Sequence, residues 1–268
     1  MALEIIEARP PEGRAAGAVP FLFVHGAWHG AWCWAERFLP YVAARGHDAY
    51  AVSLRGHGRS LSPRPLWRTS LRDYVEDVAS AVERVGGRPI LVGHSMGGLV
   101  VQRYLANGGR AAAGVLLAAV PPTGVLPTTL RIARRHPLAF FRANLSASLW
   151  PIVATPALAR EALLHESTDP ETAAGVHARL QDEAYFAYLG MLAPRIDPSR
   201  VRVPMLVIGA GADRMFTPAE IHATARAYGV EAQIVDGAAH DLMLDPAWER
   251  VAAQVVDWVE RGPGPRPL

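Results

Sequence analysis

The segment Gly93-His94-Ser95-Met96-Gly97 carries the pattern G-x-S-x-G between an apolar run and an amphipathic stretch. In this setting the pattern predicts a strand that turns sharply into a helix, with the serine at the turn. Glycines are needed two positions to either side because backbone atoms there come too close for side chains. Such a turn strains Ser95 and exposes its hydroxyl, while the helix N-terminus favours developing negative charge. We interpret Ser95 as a nucleophile; the alternative is a glycine-rich turn that merely contains a serine.

A serine hydroxyl needs a neighbouring base to accept its proton. His240 is the candidate because it follows the last predicted strand, at the edge where sheets of this kind build their sites. His165 and His177 lie in a predicted helical insert, and His222 lies within a predicted helix. The alternative interpretation of His240 is a histidine in a surface loop.

The base in turn needs an acid that orients its tautomer and stabilises the imidazolium. Asp213 directly follows the penultimate predicted strand and precedes a helix, so it is the preferred candidate. Asp236, Asp241 and Asp245 are the rivals. Asp245 is predicted to cap the last helix, and Asp241 is too close in sequence to His240 to face its ring comfortably.

An oxyanion formed during acyl transfer needs two backbone donors. One is predicted to be the N–H of Met96, directly after the nucleophile, and the other to come from the loop His25-Gly26-Ala27-Trp28. Ala27 is the preferred second donor and Trp28 the alternative. Each such donor contributes roughly 10²–10³ in rate. An ordinary turn is the other interpretation of this loop.

The elements that must position these residues alternate between strand and helix. Short, mostly apolar runs predict strands, and amphipathic stretches with capping residues predict helices between them. The strands are predicted at 3–8, 21–24, 48–54, 89–92, 114–120, 204–208 and 231–235, with helices at 31–45, 71–85, 96–106, from 218 and from 246. This alternation predicts an α/β protein with a doubly wound, mostly parallel sheet. Residues 261–268 are expected to fray.

Residues 122–199 interrupt the alternation. They lack strand runs but contain helical stretches at 127–143, 156–166 and 170–193. A structureless loop of this length is rare, so we expect a helical cap inserted between two strands of a core formed by residues 1–121 and 200–268. Cap and loop residues are predicted to line an apolar substrate pocket: His25, Trp28, Phe140, Phe141, Trp150, Tyr185 and Tyr188.

Composition narrows the classes of partner. Half of the 268 residues are hydrophobic, 19% are charged and the net charge is +2, so we expect a globular protein without a nucleic-acid partner. The single Cys33 permits no intrachain disulfide. The absence of an apolar signal core and of a membrane-length apolar run predicts a cytoplasmic protein without a membrane partner, as a monomer or homodimer.

No cofactor or metal is expected from the sequence. No cluster of His, Cys and Asp shows the spacing of a metal site. The loop from Arg55 to Ser60 is rich in glycine but lacks the Lys-Ser/Thr of a phosphate-binding loop, so we interpret it as a structural turn.

These motifs together resemble the α/β-hydrolase superfamily along nearly the whole chain. The resemblance rests on His25-Gly26, the segment from Arg55 to Ser60, the elbow around Ser95, Asp213 and His240. The segment Val24-His-Gly-Ala-Trp-His-Gly-Ala-Trp32 also resembles the plant methylesterase and hydroxynitrile lyase branch and its bacterial relatives. This resemblance implies a Ser-His-Asp triad, no cofactor, and a helical cap over an apolar pocket for small esters. The lyases carry lysine where this chain has Asp241, which disfavours cyanohydrin cleavage.

Three functions are compatible with these residues. The first is hydrolysis of carboxylic esters of small apolar or aromatic compounds through an acyl-enzyme on Ser95. The second uses the same triad for lactone opening, C–C bond hydrolysis, perhydrolysis or acyl transfer. The third is a ligand-binding receptor of this fold. Epoxide and haloalkane hydrolysis are disfavoured because they need an aspartate at the position of Ser95.

Overall fold

The computed structural model describes residues 2–262, and in that part of the chain seven strands form one sheet. The sheet order is β1-β3-β2-β4-β5-β6-β7. All neighbours pair in parallel except β1 and β3, which are antiparallel. The strands are β1 Ile5–Ala8, β2 Phe21–Val24, β3 Ala49–Val52, β4 Ile90–His94, β5 Ala113–Leu117, β6 Met205–Ala210 and β7 Ala232–Val235. The predicted doubly wound, mostly parallel sheet is confirmed.

Helices connect the parallel strands and cover the sheet. Within residues 2–262 they are α1 Trp32–Ala35, α2 Phe38–Ala44, α3 Leu71–Val85, α4 Ser95–Ala106, α5 Leu126–Arg135, α6 Pro137–Ser146, α7 Pro156–Leu163, α8 Pro170–His177, α9 Tyr185–Leu192, α10 Pro218–Ala227 and α11 Trp248–Glu260. Of the tail predicted to fray, residues 261–268, residues 263–268 lie outside the described residues.

The central strands bury both of their faces, which explains their continuous apolar sequences. In β2, Leu22 and Val24 pack into one hydrophobic cluster, and Phe21 and Phe23 pack into another on the opposite face. Because side chains alternate along a strand, a run such as Phe21–Val24 supplies both layers at once.

Local capping fixes where two of the helices begin. Ser70 and Asp73 form a capping box at the start of α3, and Thr217 and Glu220 form another at the start of α10. The predicted Asp245 cap is wrong: α11 begins at Trp248. The Asp245 carboxylate instead accepts hydrogen bonds from two other backbone N–H groups of that connection, those of Ala239 and Ala247.

Three predicted helices are interrupted. The stretch 31–45 forms α1 and α2, and the stretch 127–143 divides into α5 and α6 at His136. His136 precedes Pro137 and adopts φ −130° and ψ 62°, which is outside the helical region, as expected before proline. The stretch 170–193 divides into α8 and α9, with non-helical residues between them.

The helices α5 to α9 lie between β5 and β6. A buried contact joins this helical insert (residues 122–199) to the sheet domain: the Tyr74 hydroxyl of α3 donates to the Glu183 carboxylate at 2.6 Å. The boundaries of an independent cap domain stay a prediction. Among the helices in residues 2–262, none combines the length and apolar character that crossing a bilayer requires.

Candidate active site

Ser95 lies at the sharp turn from β4 into α4. Its φ is +50°, a left-handed conformation that is costly for a residue with a side chain. A Cβ at Gly93 would lie 2.6 Å from the Gly97 carbonyl oxygen, and a Cβ at Gly97 would lie 2.3 Å from the His25 carbonyl oxygen. The two glycines are therefore required by contacts with backbone, as the sequence pattern predicts.

Three of the predicted site residues meet at this turn. The Ser95 hydroxyl lies 3.0 Å from Nε2 of His240, and Nδ1 of His240 lies 2.8 Å from a carboxylate oxygen of Asp213. Ser95 comes from the turn after β4, Asp213 from the loop after β6, and His240 from the loop after β7. Because these strands are parallel, their carboxyl ends bring the three loops to one edge of the sheet.

The orientation of the Asp213 carboxylate is fixed from both sides. Oδ2 faces His240, while Oδ1 accepts the backbone N–H groups of Met215 at 2.7 Å and Phe216 at 3.1 Å. The Asp213 side chain is completely buried. A carboxylate with these partners makes Nδ1 of His240 the protonated ring nitrogen and leaves Nε2 free to accept the Ser95 proton.

The pKa of the buried His240 is raised above its ordinary value. Burial acts to lower this pKa, but the negative charge of Asp213, its hydrogen bond and the charge of Asp241 together outweigh burial. The imidazole is thus tuned to hold a proton more readily than a free histidine.

The predicted oxyanion loop lies directly against Ser95. A Cβ at Gly26 would lie 2.7 Å from Nδ1 of the buried His94 ring and 3.0 Å from the Cβ of Ser95, so a side chain here would force its neighbours to shift. Ala27 and Met96 both border the pocket beside Ser95. Met96 is in the first turn of α4, where backbone N–H groups have no carbonyl four residues earlier within the helix. Trp28 follows with φ +65°, which turns the loop at this point.

An apolar pocket opens beside the Ser95 hydroxyl. The empty space in and above this pocket, which includes space open to solvent, is about 660 Å³. Three predicted pocket residues, Trp28, Phe140 and Tyr188, are among those that line it. The pocket is formed by the sheet edge on one side and by the insert on the other.

Four predicted pocket residues lie elsewhere. Phe141 is 64% exposed on α6, because successive helical residues point about 100° apart and Phe140 occupies the inner position. Trp150 packs against the His177 ring, and the Tyr185 hydroxyl donates to Asn144. His25 is buried behind the loop: Nδ1 contacts the Gly26 carbonyl, and Nε2 accepts the Leu54 N–H.

The family can be assigned from a comparison with known proteins. A family model described as the alpha/beta hydrolase family matches residues 21–254. The chain belongs to the alpha/beta hydrolase family. Solved structures with this fold include a thermophilic esterase from Thermogutta terrifontis, with a TM-score of 0.70, 20% identity and coverage of 97% of this chain and 93% of that one. A monoacylglycerol lipase from Paleococcus ferrophilus has a TM-score of 0.70 and 22% identity, with 97% of this chain and 98% of that one covered.

Curated relatives place this alpha/beta hydrolase near the plant methylesterases. It is 38% identical over 109 residues to "Probable esterase PIR7A" of rice, covering 40% of this chain and 41% of the relative. It is 37% identical over 82 residues to Methylesterase 7 of Arabidopsis thaliana, covering 30% and 31%. It is 37% identical over 114 residues to a non-heme chloroperoxidase of Streptomyces lividans, covering 41% and 40%. The chain thus spans about two fifths or less of the length of these relatives.

Several pocket residues of this alpha/beta hydrolase are not predicted by the sequence analysis. They come from α5 and the residue before it, from α6, from the segment around Leu149 and from the loop after Asp213: Val125, Thr128, Thr129, Ile132, Ala143, Leu149, Ile152, Met215 and Phe216. For Met215 and Phe216 a signal exists, because residues directly after the predicted acid must lie near the base. For α5, its apolar positions alone do not say which of them faces the sheet.

A group of buried side chains lies around His240. Ligand-type atoms of His94, His240 and Asp241 lie within 4.8 Å of one another, a separation that a metal ion would tolerate. Both ring nitrogens of His240, however, already face Ser95 and Asp213. Coordination there would displace one of those partners, so the geometry fits a hydrogen-bond network better than a metal site.

Proposed function

We propose that this alpha/beta hydrolase cleaves carboxylic esters through an acyl-enzyme on Ser95, with His240 as general base and Asp213 as its orienting acid. The observation that carries this proposal is the pair of contacts at His240, 3.0 Å from Nε2 to the Ser95 hydroxyl and 2.8 Å from Nδ1 to Asp213. The similarity to proteins named as esterases supports it.

In the first half of the reaction the Ser95 oxygen attacks the ester carbonyl carbon while His240 Nε2 takes the hydroxyl proton. The carbonyl oxygen becomes an oxyanion, which the N–H groups of Ala27 and Met96 stabilise. The C–O bond to the alcohol then breaks, and His240 returns the proton to the leaving oxygen. In the second half, water loses a proton to His240 and attacks the acyl carbon, which releases the acid and regenerates Ser95.

The pocket chemistry favours neutral apolar esters. Its lining is aliphatic and aromatic beside Ser95, with Trp28, Phe140 and Tyr188 supplying rings. A charged acyl or alcohol group would lose its hydration there without gaining an ion pair. We therefore assign small acyl or aromatic groups to this space and a selective role to the insert that closes it.

The test combines active-site labelling with turnover. We expect a fluorophosphonate probe to label the wild type and p-nitrophenyl esters of two to eight acyl carbons to be hydrolysed with multiple turnovers. Ser95→Ala abolishes both, while Ser80→Ala, at an exposed serine of α3, leaves both intact. A single stoichiometric turnover would instead indicate a ligand receptor, and activity that survives Ser95→Ala would refute the proposed nucleophile.

The similarity to a chloroperoxidase favours one second candidate, in which hydrogen peroxide replaces water in the second half of the reaction. Peroxide attack on the acyl-enzyme would release a peracid and regenerate Ser95. The ratio of peracid to acid, measured at fixed peroxide, distinguishes this reaction from simple hydrolysis.

A further inference from the structure

A buried histidine and a buried aspartate form a contact behind the active-site loops. Nε2 of His29 lies 3.1 Å from Oδ2 of Asp241, and the two residues are 0% and 1% exposed. The ester-hydrolysis mechanism gives neither of them a role. His29 belongs to the oxyanion loop region and Asp241 directly follows the base, so the contact joins two separate parts of the site.

The partners of His29 determine its orientation. Nδ1 lies 2.7 Å from the Ala27 carbonyl oxygen, and Nε2 faces the Asp241 carboxylate. A carbonyl oxygen can only accept, so Nδ1 donates to Ala27. Both ring nitrogens are therefore occupied, and the two contacts together hold the ring in place.

On one side, His29 fixes the oxyanion loop. The carbonyl oxygen that it binds belongs to the planar peptide between Ala27 and Trp28, so this bond fixes the plane that also carries the Trp28 N–H and limits rotation about the Cα–C bond of Ala27. Trp28 has φ +65°, so this turn is held against its own conformational preference. The hydrogen bond from His29 provides such a restraint.

On the other side, the network reaches the base. Nε2 of His94 donates to the His240 carbonyl oxygen at 3.0 Å and lies 3.7 Å from Oδ1 of Asp241. His94 is fully buried, and burial and the neighbouring His240 lower its pKa to about 3, so it is a neutral donor. Asp241, His94 and His240 are thus packed in mutual contact.

We propose that His29 and Asp241 are positioning residues that lock the oxyanion loop and the loop of the catalytic base into one geometry around Ser95. This inference rests on the proposed ester hydrolysis. His29 acts through the Ala27 peptide, and Asp241 acts through His29 and through its charge beside His240. Neither side chain lines the pocket.

The charges around the pair support an electrostatic effect on His240. Burial acts to raise the pKa of Asp241, but the charge and hydrogen bond of His29 hold it below its ordinary value. The ionised Asp241 in turn helps to raise the pKa of His240, together with Asp213. Four other ionisable groups face this region: His94, His25, Cys33 and Arg179. The lowered pKa values of the two histidines keep them neutral, and burial raises the pKa of the Cys33 thiol.

Two substitutions of His29 separate its two contacts. Counted in bonds from Cβ, the amide nitrogen of asparagine replaces Nδ1 and that of glutamine replaces Nε2. His29→Asn therefore keeps the donor to Ala27, whereas His29→Gln keeps only the donor to Asp241. Asp241→Asn removes the negative charge but lets Nδ1 of His29 still donate to Ala27.

The experiment measures kcat, KM and the pH profile of kcat/KM with p-nitrophenyl butyrate, with thermal melts to establish folding. We expect His29→Gln to lower kcat by about tenfold or more, as for a displaced oxyanion donor, with KM within about threefold. His29→Asn should retain most of kcat. Asp241→Asn should move the acidic limb of the profile to lower pH by about half a unit or more, because the charge that helps to raise the pKa of His240 is lost.

Equal kcat values for folded His29→Gln and His29→Asn would overturn the role of the Ala27 contact. If His29→Gln does not fold, Asp241→Asn decides, and an acidic limb identical to that of the wild type overturns the inference. Failure of the proposed function is separate: it appears as a wild type without Ser95-dependent turnover, whereas failure of this inference leaves the wild type fully active.

Discussion

The amide substitution Asp213→Asn tests the proposed base because the structure fixes the orientation of the new side chain. Oδ1 of Asp213 accepts two backbone N–H groups, from Met215 and Phe216. An amide NH₂ group cannot replace this oxygen without placing donors against donors. The asparagine oxygen therefore stays there, and its NH₂ group faces His240 Nδ1, which Asp213 contacts at 2.8 Å.

That orientation inverts the tautomer of the base. Nδ1 of His240 must accept from the amide, so the ring hydrogen moves to Nε2, 3.0 Å from the Ser95 hydroxyl. Nε2 then donates and cannot take the serine proton. A wrong tautomer of this kind lowers kcat by about 10⁴, which corresponds to about 5.5 kcal/mol of activation free energy. Folding should survive, since the substituted side chain keeps nearly the same shape.

The assay is steady-state hydrolysis of p-nitrophenyl butyrate combined with the rate of fluorophosphonate labelling. Both rates should fall together in Asp213→Asn, because both require Ser95 to lose its proton. Asp236→Asn is the matched control: it is another aspartate near the end of β7, but it is exposed and should leave both rates unchanged. A folded Asp213→Asn protein that keeps more than about a tenth of wild-type turnover would refute the assigned base–acid pair.

Three further predictions follow from the site. The pKa of His240 is raised above 6.5 in the fold, and only the neutral ring accepts a proton. We therefore expect kcat/KM to fall as pH drops through that raised value. A pH–rate profile whose acidic limb has its midpoint below pH 6.5 would contradict this prediction. Phe140→Ala should lower kcat/KM for longer acyl chains by about tenfold, because it removes an apolar side chain from the pocket. Phe141 is exposed on the same helix, so kcat/KM of Phe141→Ala should stay near that of the wild type. Equal effects of the two substitutions would contradict the pocket assignment. His94 is neutral in the fold down to a pKa of about 3 but protonates near 6.5 when unfolded, so its contribution to stability is lost as pH falls. Between pH 7 and 5 this loss is about 2 kcal/mol of the free energy of unfolding. Measured by urea unfolding, the free energy of unfolding of His94→Gln should therefore decline less over this range than that of the wild type. The same decline in both proteins would show that His94 is not the source.

Chain order and hydrophobic pattern were sufficient to predict the sheet and the three residues at its edge. Ser95, Asp213 and His240 each follow an apolar run, and parallel strands bring such positions together regardless of their distance in sequence. Glycine spacing predicted the turn because contacts with backbone exclude any side chain at Gly93 and Gly97.

The pocket lining was predicted only in part because it depends on how helices of the insert rotate. Phe140 and Phe141 are identical in type and adjacent, yet one lines the pocket and the other is exposed. The relation between Asp241 and His240 also escaped the sequence argument. Adjacent residues point apart, so proximity in sequence suggested no role, whereas the fold brings Asp241 back to His29 across 212 positions.

The insert does more than close the pocket, because it also hydrogen-bonds to two loops of the candidate site, the predicted oxyanion loop and the loop of His240. The backbone N–H of Asp241, next to His240, donates to the Leu163 carbonyl at the end of α7, and the N–H of Gln181 donates to the Trp28 carbonyl in the predicted oxyanion loop, each at 2.9 Å. Replacing residues 128–193 by a short linker would remove both contacts. A folded product of that change should therefore lose kcat toward even the shortest ester, as well as its selectivity for acyl length. Loss of selectivity with full kcat toward p-nitrophenyl acetate would show that the insert only shapes the pocket and that the two loops hold their geometry without it.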